Sequence, residues 1–195
     1  MPSVFLVSDT HFGHAGVCRF TRNDGFTKLR PWDDPAEMDE AMVKAWNERV
    51  KPTDKVYHLG DAVINRKALA TLRRLNGDKV LIRGNHDIFR DDEYRQYFRE
   101  LRAYHVMNGM ILSHLPVHPD SLGRFGVNIH GHLHATRVMR SLTTCGRLDQ
   151  IDPRYHCVCV EQTPDFAPIL FEDVLKRIRE EGGTVGFRNG NGPTM

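Results

Sequence analysis

The chain has 195 residues, of which 40% are hydrophobic and 27% charged, and a formal net charge of +2. That length suits one domain burying roughly 70% of the surface its unfolded chain exposes, and the balance argues against a disordered or fibrous chain and gives no overall field drawing nucleic acid or membrane, although local basic clusters leave an anionic ligand, nucleic acid included, open. The opening apolar run, Val4 to Val7, is broken at once by Ser8 and Asp9 with no basic stretch before it, so neither signal peptide nor membrane span is expected and cytoplasmic residence is the default.

In chain order, Val4 to Val7 reads as a strand ending in SDTH. Cys18 to Pro31 is an irregular insertion carrying Arg19, Arg22, Lys28 and Arg30 among Phe20 and Phe26. It suits either a basic wall of a substrate site or a solvated loop anchored by its two phenylalanines. A helix starts at Asp34 as N-cap, with Pro35 in the first helical position and Glu37 placed to close a capping box, and Met38, Met42, Ala45, Trp46 and Val50 recur at helical spacing. Lys55 to Leu59 is a second strand before Gly60-Asp61. Asn65 to Leu75 reads as a helix with Ala68, Leu69, Leu72 and Leu75 inward, Arg66, Lys67, Arg73 and Arg74 as its solvated face, and Gly77 as its stop. A strand from Lys79 to Arg83 leads into GNHD, and a third helix is expected over Asp91 to Leu101. Asn108-Gly109 is a two-residue hairpin turn between Tyr104 to Met107 and Met110 to Ser113, after which comes His114. Val127 to His130 precedes GHLH, followed by strands over Val138 to Thr143, Tyr155 to Val160 and Ala167 to Phe171 and a terminal helix from Glu172 to Glu181. The alternating first half and strand-rich second half suggest a layered sheet forming one domain over 1–181, with 182–195 as a loose polar tail.

Five apolar runs thus end in metal-type ligands. On backbone that stays extended past Val7, Asp9 and His11 project from the same side, and His132 and His134 alternate in the same way. Gly60 permits a tight turn before Asp61, whose two carboxylate oxygens suit two different cations. In GNHD, Asn85 offers an amide oxygen, His86 an imidazole, and Asp87 a carboxylate able to orient a neighbouring imidazole. Each block alone also fits a turn or a packed histidine. By composition, however, GHxH is expected only ~0.05 times and GNHD ~0.003 times. Asp9, His11, Asp61, Asn85, His114, His132 and His134 together supply oxygen and nitrogen donors for two divalent cations. Mixed donors without sulfur favour manganese, with Fe, Zn, Co and Ni as alternatives, over calcium.

The ordered set DxH, GD, GNHD, H and GHxH resembles the signature of the calcineurin-like metallophosphoesterases over roughly Val4 to His134, and Tyr155 to Ile169 is similar to the closing strands of small bacterial and phage members. Ile64 departs from it, because many members carry Asp or Asn there, and Asn65 lies one place late. The resemblance implies an α/β (α+β) four-layer fold, a two-sheet β-sandwich flanked by helices, with the site at the strand ends. It implies one metal on Asp9, His11, Asp61 and His134 and another on Asp61, Asn85, His114 and His132, with Asp61 bridging. His86 is then free to contact phosphate and protonate the leaving oxygen, with Asp87 fixing its ring. The implied reaction is phosphoester hydrolysis by metal-activated hydroxide between cations ~3.5 to 4 Å apart.

The expected substrate is a small phosphodiester or nucleotide, since no large recognition domain fits this length. A phosphomonoesterase and a non-catalytic, metal-stabilised scaffold are the alternatives. His14, Arg19 and His118 are candidate substrate contacts, and Arg137, Arg140, Arg147 and Arg154 a candidate second basic wall. His58 and His130 read as packed or ligand-supporting residues, while His105 and His156 carry no assigned role. The four cysteines, Cys18, Cys145, Cys157 and Cys159, contain no CxxC pair and read as buried positions. Trp32, Met107 and Phe125 are candidate interface residues, and oligomeric state is open.

Overall fold

A computed structural model describes residues 2–141 and 148–187. In chain order it contains β1 (Val4–Val7), α1 (Pro35–Arg49), β2 (Lys55–His58), β3 (Asp78–Ile82), α2 (Asp91–Tyr94), β4 (Glu100–Arg102), β5 (Tyr104–Met107), β6 (Met110–Ser113), α3 (Pro119–Leu122), β7 (Asn128–His130), β8 (Met139–Ser141), β9 (Leu148–Ile151), β10 (Tyr155–Cys157), β11 (Ile169–Leu170) and α4 (Phe171–Glu180). A five-stranded sheet of order β11-β1-β2-β3-β4 lies against a four-stranded sheet of order β10-β7-β6-β5, and β8 and β9 form a separate ribbon. The expected α/β architecture of two multi-stranded sheets flanked by helices is present.

Strand alternation builds two cores. Phe5 and Val7 of β1, Val56 of β2 and Leu81 of β3 pack with Met38, Met42 and Trp46 of α1, whereas Leu6, Tyr57, Val80 and Ile82 pack with Met110, Leu112 and Ile129 of the second sheet. Both faces of the first sheet are therefore covered, which explains its nearly continuous apolar runs. Asp34 caps α1 by accepting from the Ala36 N–H at 3.0 Å, and no reciprocal Glu37 bond accompanies it among the described residues. The Asn108-Gly109 turn joins β5 and β6 in the expected register, Met107 opposite Met110.

Several elements differ from expectation. Residues Arg66–Arg74 wind as a 3-10 helix started by the Asn65 side chain, which accepts from the Ala68 N–H. Leu69, Leu72 and Leu75 are spaced by three, which aligns them in one row of a helix with three residues per turn. The helix expected over Asp91 to Leu101 stops at Tyr94, and Glu100–Arg102 pairs in parallel with β3 instead. Pairing covers β3's open edge and outweighs local helical periodicity. β9 is an unanticipated strand, antiparallel to β8.

The strand expected to run to Val160 leaves its sheet after Cys157. The Ser8 N–H donates to the Val158 carbonyl and the Val160 N–H to the Ser8 carbonyl, so this segment stitches the second sheet to the end of β1 before a 3-10 turn over Val160–Gln162. Trp32 packs edge-on to Phe166, Met107 lies against the inter-sheet core, and Phe125 faces Phe187, so the three candidate interface residues all have internal partners. Cys18, Cys157 and Cys159 are free and buried, while Cys145 lies outside the described residues, as do Arg147 and 188–195. Among the described residues, no helix is long and apolar enough to cross a membrane.

Candidate metal centre

β1, β2 and β3 run parallel, as do β6 and β7, so the segments that follow all five emerge at strand C-termini. Asp9, His11 and His134 form one group of side chains able to share a cation, and Asp61, His114 and His132 form a second, with donor atoms within 4.8 Å of one another in each. Asn85 joins the second, its Oδ1 lying 2.9 Å from His114 Nε2. Asp61 Oδ2 lies 3.7 Å from His11 Nε2 and 3.4 Å from His114 Nε2, and so faces both groups. Its Oδ1 instead accepts the His86 N–H at 2.8 Å. One oxygen therefore sits between the groups, where the sequence suggested two.

Side-chain convergence arises differently from the strand alternation inferred earlier. Asp9 (φ 58°), His11 (φ 50°), Asp61 (φ 56°), His132 (φ 67°) and His134 (φ 49°) all stand on left-handed backbone. The chain kinks at each one. β1 and β2 nevertheless stay paired through the kinks, with the Asp9 N–H donating to the Gly60 carbonyl and the His11 N–H to the Asp61 carbonyl.

Donor chemistry fits two cations. Asp9 Oδ2 accepts from the Ser8 hydroxyl, the His132 N–H and the Cys159 thiol, while its buried Oδ1 has no hydrogen-bond partner and stands 3.6 Å from His11 Nε2 and 3.9 Å from His134 Nε2. The Leu59 carbonyl, 2.8 Å from His114 Nδ1, fixes the proton there. His114 Nε2 faces Asn85 Oδ1 and Asp61 Oδ2, two acceptors that are matched by a positive charge, either a proton on Nε2 or a cation in its place. Burial alone would raise the Asp9 carboxyl, but the bond and charge of His11 with His114 and His134 hold it well below the carboxylate range. Burial works against protonating His114, yet Asp61 and Asp9 raise it above the usual imidazole value. The depressed carboxyls of Asp9 and Asp61 facing the raised imidazoles of His114 and His134 are the pattern of an anionic pocket that attracts cations, although burial lowers His132.

Residues 2–181 match the family described as calcineurin-like phosphoesterase. The chain belongs to that family. A curated relative, the uncharacterized protein MJ1445 of Methanocaldococcus jannaschii, is 37% identical over 193 residues, covering 95% of this chain and 96% of that one. The crystal structure of AQ665 of Aquifex aeolicus, a protein of unknown function, aligns with a TM-score of 0.59 at 25% identity, covering 91% of this chain and all of the other. A structure titled as a novel archaeal phosphodiesterase aligns at TM-score 0.42 and 17% identity over 80% of this chain and 82% of its own, too distant to carry an inference. The two ligand groups within a calcineurin-like phosphoesterase fold support metal-dependent phosphoester chemistry.

Within this phosphoesterase, His86 is exposed and outside both ligand groups, its ring centroid 5.6 Å from that of His11. Asp87 takes a different position from the one the resemblance implied. Its buried carboxylate accepts from the N–H groups of Asp61, Ala62 and Gly84 and from the Tyr94 hydroxyl, so it ties the loops after β2 and β3 together instead of gripping the His86 ring. His14 is half-buried with its ring 5.6 Å from His11, and burial followed by the charges of His11 and Arg30 lowers it to about 4. Arg19 is exposed at the end of the 3-10 turn Val17–Arg19. His118 is exposed and serves as the N-cap of α3, accepting from the Asp120 N–H. His58 and His130 are buried, bonded to Thr10 and to the Gly131 carbonyl.

The Cys18 to Pro31 insertion borders a cavity of about 290 Å³ lined by Thr21, Arg22, Asn23 and Asp24 opposite His134, Ala135 and Thr136. Its phenylalanines are not anchors, since Phe20 is 48% and Phe26 80% exposed. Arg30 is the anchor, 1% exposed and bonded to the carbonyls of Asp9 and Thr10 and to Glu161. Arg137 and Arg154 pair with Glu181 and Asp152, which removes them from a second basic wall. Sequence reasoning missed Glu161, whose Oε1 lies 3.1 Å from His134 Nδ1. No local pattern marks it. Its place depends on the strand crossing after Cys157.

Proposed function

We propose that the chain is a dinuclear-metal phosphoester hydrolase acting on a small phosphodiester or nucleotide. The observation that carries the reading is the position of Asp61 Oδ2 between the His11 and His114 nitrogens, with the His86 imidazole outside both groups. Asp9, His11, Asp61 and His134 would hold one cation, and Asp61, Asn85, His114 and His132 the other. Cations bound there would supply Lewis-acid polarisation of the phosphate oxygens and make water more acidic, manganese being the metal we propose. Asp61 would serve both cations, and Asp87 keeps the Asp61 and Gly84 loops in register. His86 donates its proton to the oxygen leaving phosphorus as water's oxygen bonds from the opposite side; the attacking water releases a proton to solvent, and His86 is reprotonated from there, so no net proton is consumed. His14 and Arg19 would contact the substrate from the insertion side. His118, as the cap of α3, is left out.

The diester preference is supported by clefts on both sides of the centre, since a diester carries two substituents and a monoester one. The first is the cavity beside His134, and the second, of about 410 Å³, is lined by Asn85, His114, Tyr104, Leu115 and Pro116. The free buried thiols of Cys18, Cys157 and Cys159 fit a reducing, cytoplasmic compartment.

Assay of Mn²⁺-loaded protein on bis-p-nitrophenyl phosphate and p-nitrophenyl phosphate, alongside metal analysis, tests this. Two metals per chain and a faster diester rate are expected. A faster monoester rate removes the diester preference, and two bound metals with no turnover on either substrate favour the scaffold alternative.

A further inference from the structure

Arg30 and Glu161 form an ion pair with both side chains fully buried. Arg30 Nε and Nη2 lie 2.8 and 2.7 Å from Glu161 Oε1, and the same oxygen is 3.1 Å from His134 Nδ1. Glu161 Oε2 has no protein partner. For stability alone this is a weak arrangement, because burying two charges is expensive and well-packed apolar replacements are often neutral or better. What the pair holds is informative. Glu161 can only accept, so His134 Nδ1 carries the proton and its Nε2 lone pair points to the Asp9 side, 3.9 Å from Oδ1. Arg30 meanwhile donates to the Asp9 and Thr10 carbonyls, gripping the left-handed turn that aims Asp9.

The second ligand group is held by other means. His114 is oriented by the neutral Leu59 carbonyl, and Asp61 by the His86 N–H. None of the hydrogen bonds described for Arg30 and Glu161 reaches that group. A carboxylate behind a ligating imidazole strengthens the ligand more than a carbonyl does, because it stabilises positive charge spreading onto the ring.

We infer that Glu161, held by Arg30, is a positioning residue that selectively governs cation affinity at the Asp9–His11–His134 position. This rests on the dinuclear reading above. The two positions then differ in strength by construction, and they can be weakened separately.

The test is calorimetric Mn²⁺ titration of metal-free protein, using the double variant Arg30→Met/Glu161→Leu so that no lone charge is left buried. The wild type should bind two Mn²⁺. The double variant, with a cooperative melt, should keep one affinity and lose roughly 10–100-fold at the other. Its isotherm should resemble that of His134→Ala and not that of His132→Ala. Glu161→Gln, which keeps an acceptor for Nδ1–H but not the charge, should show a smaller loss at the same position and serves if the double variant does not fold. Two unchanged affinities in a folded variant, or an equal fall in both, would overturn the inference while leaving the dinuclear reading standing. A wild type binding fewer than two Mn²⁺ would remove both.

Discussion

Five residues of the centre, Asp9, His11, Asp61, His132 and His134, occupy a backbone region that disfavours any side chain by about 1–2 kcal/mol, although Asp and His visit it more readily than most. Strain is thus concentrated on the atoms facing the proposed cations. Metal-free His132→Gly should therefore be more stable than His132→Ala by about 1 kcal/mol, because both lack the imidazole and only glycine is at ease at φ 67°. Urea unfolding midpoints of the two variants check this, and equal midpoints would mean the turn is relaxed. Function separates by side chain in the same way. His86→Ala should retain two metals while kcat falls ~10²–10⁴-fold, whereas Asp61→Ala should lose metal and turnover together. Equal metal loss in the two would withdraw His86 from the proton-donor role.

The strands serve the centre mainly through where they stop. Pairing of β1 with β2 continues past their ends into the ligand loops, so the sheet's own hydrogen bonds fix Asp9 and His11 against Asp61. Close approach of the next loop needs Gly84, where an added Cβ would press on the Asp61 N–H and carboxylate. Since Asp61 faces both ligand groups, Gly84→Ala should weaken both Mn²⁺ positions, on the order of 10–100-fold. Titration decides this, and selective loss at one position would contradict the shared role of Asp61. The crossing after Cys157 is the other decisive element, because it leaves β10, pairs with Ser8 and so brings Cys159 and Glu161 beneath Asp9 and His134.

Across the whole molecule, buried histidines make stability depend on pH. Burial among Trp46 and Phe98, with its Nε2 on Thr10, pushes His58 down to about 3, and the charges of Asp9 and Asp61 only partly oppose this. The unfolded chain takes up a proton that the folded one refuses, so the contribution of His58 is complete above about pH 6.5 and is lost as pH falls from there toward 3. Tm should drop between pH 6.5 and 4, and His58→Leu should flatten that drop. An unchanged slope would show that His58 is not held neutral. The sequence by itself determined the layered arrangement of strands and helices and the ordered donor set, because periodicity and ligand type are local properties carried by neighbouring residues, whereas the division into two sheets came only with the family resemblance that the donor set carries. It misread the run from Asp91 to Leu101, where a sheet edge outweighed helical spacing, and the DxH and GHLH blocks, where left-handed turns replace extended strand. Only the tertiary structure decided that a single Asp61 oxygen faces both groups, that Asp87 binds loops and not the His86 ring, and that Arg30 is an internal clamp. Each of these depends on contacts between residues distant in the chain, and no local spacing encodes them.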